Sequence, residues 1–206
     1  MLEKFINLPI GKQNTIIDAA LMVFSNNGYK KASVSDIAAA AGISKSMVFH
    51  YFGTKKALYF YLINLVGTIM VDEVNEKFDH SVTDFFDRIR LASEIEISAM
   101  KKHPATMSFL KSAYFEEDEE VKEDIKAHLA LGEGARNKIA FEGTDLSKFK
   151  DGVDINLVTK MLMWLTDGFL YSTKSKVGMD IDVLFNEIYE CMRLLKNNLY
   201  KEEYID

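Results

Sequence analysis

Few side chains in this 206-residue chain stand at spacings that could do covalent or metal chemistry. There are four histidines, His50, His80, His103 and His128, and one cysteine, Cys191. Glu76 with His80, and Asp124 with His128, fall four apart on expected helices, where each pair could offer two metal ligands. Two ligands make a weak site, and such pairs are more often surface ion pairs, so neither a metal nor a cofactor is expected. A glycine-rich phosphate loop, an H-E-x-x-H pair and a G-x-S-x-G elbow are all absent, and the chain is not expected to be an enzyme. The stretch with a recognisable chemical task is Gly28 to Tyr59, GYKKASVSDIAAAAGISKSMVFHYFGTKKALY, which suits contact with DNA.

Lys45, Ser46, Phe49 and His50 share one face of a short helix there. Lys45 and His50 can donate to base edges or phosphates, Ser46 can do either, and Phe49 can press on a thymine methyl or a sugar. Local signals define the elements that must hold them. Ser33 and Asp36 make an S-x-x-D start signal, in which each side chain can satisfy a free amide of the other's turn, so a helix is expected from Val34. Val34, Ile37, Ala38 and Ala41 line one face of it, Gly42 ends it, and Ser44 can cap the next helix. Val48 and Phe52 should face inward with Ile43. Two helices joined by a short glycine-containing turn are the helix-turn-helix layout. After Gly53, Thr54 should cap a further helix, whose free amides with Lys55 suit a backbone phosphate.

Taken together, this string resembles the N-terminal domain of the TetR family of transcriptional repressors. The shared order is a turn, a short helix, A-x-x-A-G-[VI]-S-K, an aromatic-rich recognition helix ending in Phe, and a lysine-bearing helix start. The resemblance covers roughly residues 10 to 60. It implies that Ser33 begins the supporting helix near a phosphate, that Lys45, Ser46, Met47 and His50 lie toward the bases, and that Phe49, Tyr51 and Lys55 lie along the backbone. Three places depart from the family: Ala32 stands where Thr is usual, Ser46-Met47 where Gly-Thr or Gly-Asn is usual, and Phe49 where Tyr is usual. The first and last remove two possible phosphate hydrogen bonds, and Met47 shifts the base-facing chemistry toward apolar contact.

The charge distribution agrees with a polyanionic partner. Residues 1–60 carry seven lysines, no arginine and three carboxylates, whereas the remainder carries 18 basic and 28 acidic side chains. A basic head on an acidic body orients the molecule toward DNA and repels DNA elsewhere. A lone cysteine leaves no intramolecular disulfide framework and fits a reducing cytoplasm. The amino end lacks a signal-peptide pattern, and the most apolar stretch, Leu58 to Val71, is interrupted by Asn64, Gly67 and Thr68, so a cytoplasmic protein is expected.

With two prolines and no strand signals, an all-α fold of about nine helices is expected: a three-helix head over residues 1–60 and a larger helical body over 61–206. Residues 1–10 read as a partly ordered lead-in. Ile17, Ala20, Leu21 and Phe24 give a first helix ending at Asn27-Gly28. A long helix from Thr54 to about Lys77 would link head and body, with Leu62, Leu65, Val66, Ile69 and Val71 seeking apolar partners. Further helices are expected from Ser81 to Lys102, from Pro104 to Phe115 and on to Phe141, the last weakened by Gly132 and Gly134. The acidic run 116–120 reads as a solvated helix start, and 142–152 as a surface loop.

Two helices close the chain, 154–174 and 180–200. The last holds a stripe of Ile181, Leu184, Phe185, Ile188, Met192, Leu195 and Leu199. The one before is apolar on two faces, Val158, Met161, Leu162, Leu165 and Phe169 on one and Leu157, Trp164 and Tyr171 on the other. Burial within one chain would explain this, and so would a homodimer built from two helices of each chain. The family resemblance further implies an effector pocket between central helices, for which Phe78, Phe86, Met100, Met107, Phe109, Tyr114, Met163, Trp164 and Tyr171 are candidate linings. The expectation is thus a homodimeric repressor that binds a palindromic DNA operator and is released by a small apolar or amphipathic effector. The alternatives are a helical enzyme or small-molecule carrier with an incidental helix-turn-helix, and an architectural DNA binder without sequence preference.

Overall fold

The computed structural model describes residues 2–172 and 181–205, and the side chains of these except at 131–133, 135, 136, 181, 182 and 184. Regular structure among them is helical: α1 (Leu2–Ile6), α2 (Ile10–Lys31), α3 (Val34–Ala40), α4 (Lys45–Phe52), α5 (Lys55–Lys77), α6 (Phe85–Met100), α7 (Thr106–Tyr114), α8 (Lys122–Phe141), α9 (Ile155–Ser172) and α10 (Ile181–Leu199), with short 3-10 turns at Leu146–Lys148 and Glu202–Tyr204. The fold is all-α, as the composition requires. The chain forms two compact units, Met1–Lys77 with Ile95–Ala135, and Phe78–Glu94 with Arg136–Asp206.

The first unit is built on aromatic rings. The faces expected on α2 and α3 are buried, including Ile17, Ala20, Leu21 and Phe24, and Val34, Ile37 and Ala38. Phe24, Tyr59 and Phe109 pack edge to face or tilted at the centre of the unit. The amino end differs from expectation: residues 2–6 are a helix, because Phe5 is fully buried against Tyr51, Phe52 and Tyr61. α5 is long and apolar enough to cross a membrane by length and composition. Its apolar side serves the unit instead, with Leu58, Tyr59, Leu62 and Val66 buried. Val71, expected to need a partner, is 44 % exposed. The turn after α6 reaches both neighbouring helices, Lys102 pairing with Glu73 of α5 and His103 Nδ1 lying 2.6 Å from Asp18 Oδ1 of α2.

In the second unit, α6 starts at Phe85 and not at Ser81. Asp84 is its cap, accepting from the amides of Phe86 at 3.1 Å and Asp87 at 3.2 Å, while Ser81 is turned aside into a bond with Asp79. The glycines at 132 and 134 do not interrupt α8. The loop expected at 142–152 is tied in where Phe149, 4 % exposed, forms a backbone bridge to Tyr200. Buried Arg88 donates to the carbonyls of Val82, Ile139 and Glu142, closing the carboxyl end of α8.

On α9, Val158 and Leu162 are buried in the second unit's core, with Leu165 and Phe169 packed against it. Met161, Leu157 and Trp164 are not covered; Trp164 is 61 % exposed. On α10, Ile188 and Met192 are buried. The side chains of Ile181 and Leu184 lie outside the described residues, as do residues 173–180 between the two helices.

Candidate nucleic-acid interface

The helix-turn-helix forms from the local signals that announced it. Ser33 Oγ accepts from the Asp36 amide at 3.1 Å and opens α3. Gly42 takes φ of 65°, a conformation that turns the chain between α3 and α4 at no cost to glycine. Ser44 Oγ then accepts from the Met47 amide at 3.3 Å and opens α4, and Thr54 Oγ1 accepts from the Ala57 amide at 3.0 Å to open α5.

Packing decides which side of α4 is presented. Val48, Tyr51 and Phe52 are buried, and Ile43 and Met47 are partly buried against the same core. Lys45, Ser46, Phe49 and His50 are exposed together, and Ser46 Oγ lies 2.9 Å from Ser44 Oγ. The arrangement is a single protruding helix face with an ammonium, an imidazole, a hydroxyl and one aromatic ring. Such a face offers donors to base edges and an apolar surface to a thymine methyl.

Among the other side chains assigned to DNA, Ser33 is half-buried and Tyr51 is 4 % exposed, edge-on to Phe5. Lys55 is engaged inside the protein: its Nζ donates to the carbonyls of Tyr29 at 2.9 Å, Ala32 at 3.3 Å and Lys30 at 3.4 Å, and sits 4.3 Å from the centre of the Tyr29 ring. It therefore closes the carboxyl end of α2. Lys56 Nζ donates to the Glu120 carbonyl at 2.7 Å and pairs with Asp124 at 2.8 Å. Burial, reinforced by the Glu120 carboxylate, holds the Tyr29 phenol well above its ordinary pKa. Sequence reasoning assigned no role to Lys30 and Lys31, which are exposed just before α3. The doublet itself was the available signal.

Of the two carboxylate–histidine pairs, Glu76 and His80 do not share a helix, since α5 ends at Lys77 and His80 lies edge-on to Phe78. Asp124 gives its carboxylate to Lys56, and His128 Nδ1 approaches the Asp124 backbone carbonyl at 2.7 Å. Among the described residues no group of three or more potential ligands converges.

The nine candidate pocket residues are divided between the units. In the first, Met100 lines an apolar recess with Val66, Ile69, Met70, Ala99, His103 and Thr106. Its volume is about 10 Å³, room for a water-sized sphere. Phe109 is fully buried in the core, Met107 is half-buried and Tyr114 is 38 % exposed. In the second unit Phe78 lies under Arg88 and Phe86 is buried, while Met163, Trp164 and Tyr171 are exposed on α9.

Residues 16–62 match the family of bacterial regulatory proteins, tetR family. Residues 16–62 therefore form the N-terminal domain of the TetR family of transcriptional regulators. Similarity extends beyond the matched head. The fatty acid metabolism regulator protein of Bacillus subtilis is 25 % identical over 160 residues, covering 76 % of this chain and 80 % of that protein. The nucleoid occlusion factor SlmA of Vibrio cholerae is 24 % identical over 170 residues, covering 80 % and 84 %. The crystal structure of the regulator FadR from Bacillus subtilis in complex with stearoyl-CoA superposes with a TM-score of 0.68 at 22 % identity, over 86 % of this chain and 96 % of that one. That likeness extends the TetR-family fold over the helices that follow the head.

Proposed function

We propose that this protein is a homodimeric repressor of the TetR family. In this reading residues 1–60 recognise one half of a palindromic operator, and residues 61–206 pair the subunits and bind an amphipathic effector of the long-chain acyl thioester class. The observation that carries the reading is the protruding face of Lys45, Ser46, Phe49 and His50 on a helix whose other side is anchored in the core. Lys30 and Lys31 join Ser33 as phosphate neighbours. Two-fold symmetry sets the half-sites about 34–36 Å apart or a multiple of it. The uncovered Leu157 and Trp164 on α9 support pairing through α9 and α10, since apolar side chains of this size are usually covered in the working assembly.

For the effector, the support is the apolar recess with a histidine and a threonine at its edge, together with the stearoyl-CoA bound by the Bacillus subtilis protein. At its present volume the recess admits no acyl chain. An effector must widen it, and by preferring the wider state it would shift the equilibrium away from the DNA-binding arrangement. A basic head and an apolar recess also fit a cytoplasmic protein that is not an enzyme.

The test is fluorescence anisotropy on a labelled duplex containing the DNA upstream of the protein's own gene, at 50 and 200 mM salt, with and without stearoyl-CoA. Two chains per duplex, a steep loss of affinity with salt and release by stearoyl-CoA are expected. Absence of binding at the lower salt would overturn the DNA reading; binding unaltered by stearoyl-CoA would remove the acyl thioester.

A further inference from the structure

The acidic segment after α7 was read from sequence as a solvated helix start. In the structure it grips the helix-turn-helix at both ends. At the entrance, α2 breaks at Gly28, with φ 66° and ψ 175°, so the Tyr29 amide loses its place in the helical hydrogen-bond ladder. Tyr29 is 2 % exposed, and a buried amide needs a partner. Glu116 Oε2 supplies it at 2.6 Å. The approach is so close that a Cβ on residue 28 would lie 3.1 Å from the same oxygen. The carboxylate cannot swing freely, because its Oε1 accepts from the amides of Glu117 at 3.1 Å and Asp118 at 3.0 Å.

The N–H side of the corner before α3 is thus held by Glu116, and its carbonyls by Lys55. Beyond α4, in the first turn of α5, Lys56 donates to the Glu120 carbonyl and pairs with Asp124 at the start of α8. Helices α3 and α4, seated on the core by their buried faces, are thus flanked on both sides by contacts to residues 116–124.

We infer that Glu116 is a positioning residue for DNA binding, setting the place of the reading helix through the Gly28–Tyr29 corner without touching DNA. The inference rests on the repressor reading above. In the repressor reading, the arrangement held by Glu116 is the one that binds the operator. Removing the carboxylate therefore weakens binding, although it deletes a negative charge that would repel phosphate.

The experiment compares wild type, Glu116→Ala and Glu116→Gln by anisotropy on the same duplex across a salt series, with hydrogen–deuterium exchange of peptides spanning residues 25–33. Glutamine keeps an acceptor for the Tyr29 amide but not the charge. The expected result is that Glu116→Ala binds at least tenfold more weakly and Glu116→Gln within about threefold of wild type, all three with the same salt slope. Exchange over 25–33 should accelerate in the alanine variant alone. Wild-type affinity, or tighter binding, in Glu116→Ala would overturn the inference, and a lowered salt slope would instead make Glu116 part of the electrostatic contact. If the wild type binds no duplex, the repressor reading fails, and the inferred DNA role falls with it; the exchange rates then decide whether Glu116 holds the corner at all.

Discussion

Three glycines of the head carry positive φ, Gly28, Gly42 and Gly53, and substitution separates the first two. At Gly42 an added Cβ meets nothing within 4 Å, so Gly42→Ala carries only the backbone penalty, about 1 kcal/mol. Gly28 combines φ of 66° with ψ of 175°, a region that is nearly glycine-only, and its Cβ would crowd Glu116. Gly28→Ala should cost roughly 3 kcal/mol, and urea unfolding of the two variants would show the difference. Lys55→Met strips the cap from three carbonyls and should lower stability by about 2 kcal/mol in the same assay. The caps of Ser33, Ser44 and Thr54 were legible from sequence because each partner lies three residues away. The engagements of Lys55 and Glu116 were not, since their partners lie 23 to 26 and 87 positions distant and only the folded chain brings them together.

At the scale of elements, the start of α6 depends on one carboxylate. Asp84 caps the helix and accepts Lys148 at 3.2 Å and Lys196 at 3.3 Å. Burial pulls its pKa upward, but the Asp87 amide and the two ammonium groups outweigh that and hold it below the ordinary carboxylate value. A folded pKa below the unfolded one means the stabilisation is complete above about pH 4 and disappears as the pH falls through the folded value. Asp84→Asn should cost roughly 3 kcal/mol at neutral pH by leaving Lys148 without its carboxylate and Lys196 with Asp87 alone, and the variant should lose part of the acid limb seen in thermal unfolding. That Asp84 and not Ser81 opens α6 could not be read locally, because both residues are good caps and the choice is made by lysines from distant parts of the chain. On α9 the two-faced pattern was legible, but which face the chain itself covers was not. Trp164→Glu places a charge on the uncovered face, and sedimentation should then show a monomer, with DNA affinity reduced at least tenfold.

Across the whole molecule, charge is arranged to be read by ionic strength. The seven lysines of residues 1–60 do not act alike: Lys55 and Lys56 are held by protein groups, whereas Lys30, Lys31 and Lys45 are exposed. Lys30→Met and Lys31→Met should each lower the logarithmic salt slope of DNA binding by about 1, and weaken binding to all duplexes alike. His50→Ala should instead change the preference among sequences. The helical class and the helix-turn-helix were legible because periodicity and capping are local; the division into two units was not, since it cuts through α6 and α8, whose patterns run on without a break.

Trp164 is the chain's only tryptophan, and its indole stands largely in water on one subunit. An indole moved beneath apolar cover emits at shorter wavelength, so the pairing proposed through α9 and α10 would register in the protein's intrinsic fluorescence. A dilution series of unlabelled protein, excited at a single wavelength, would yield the association constant directly.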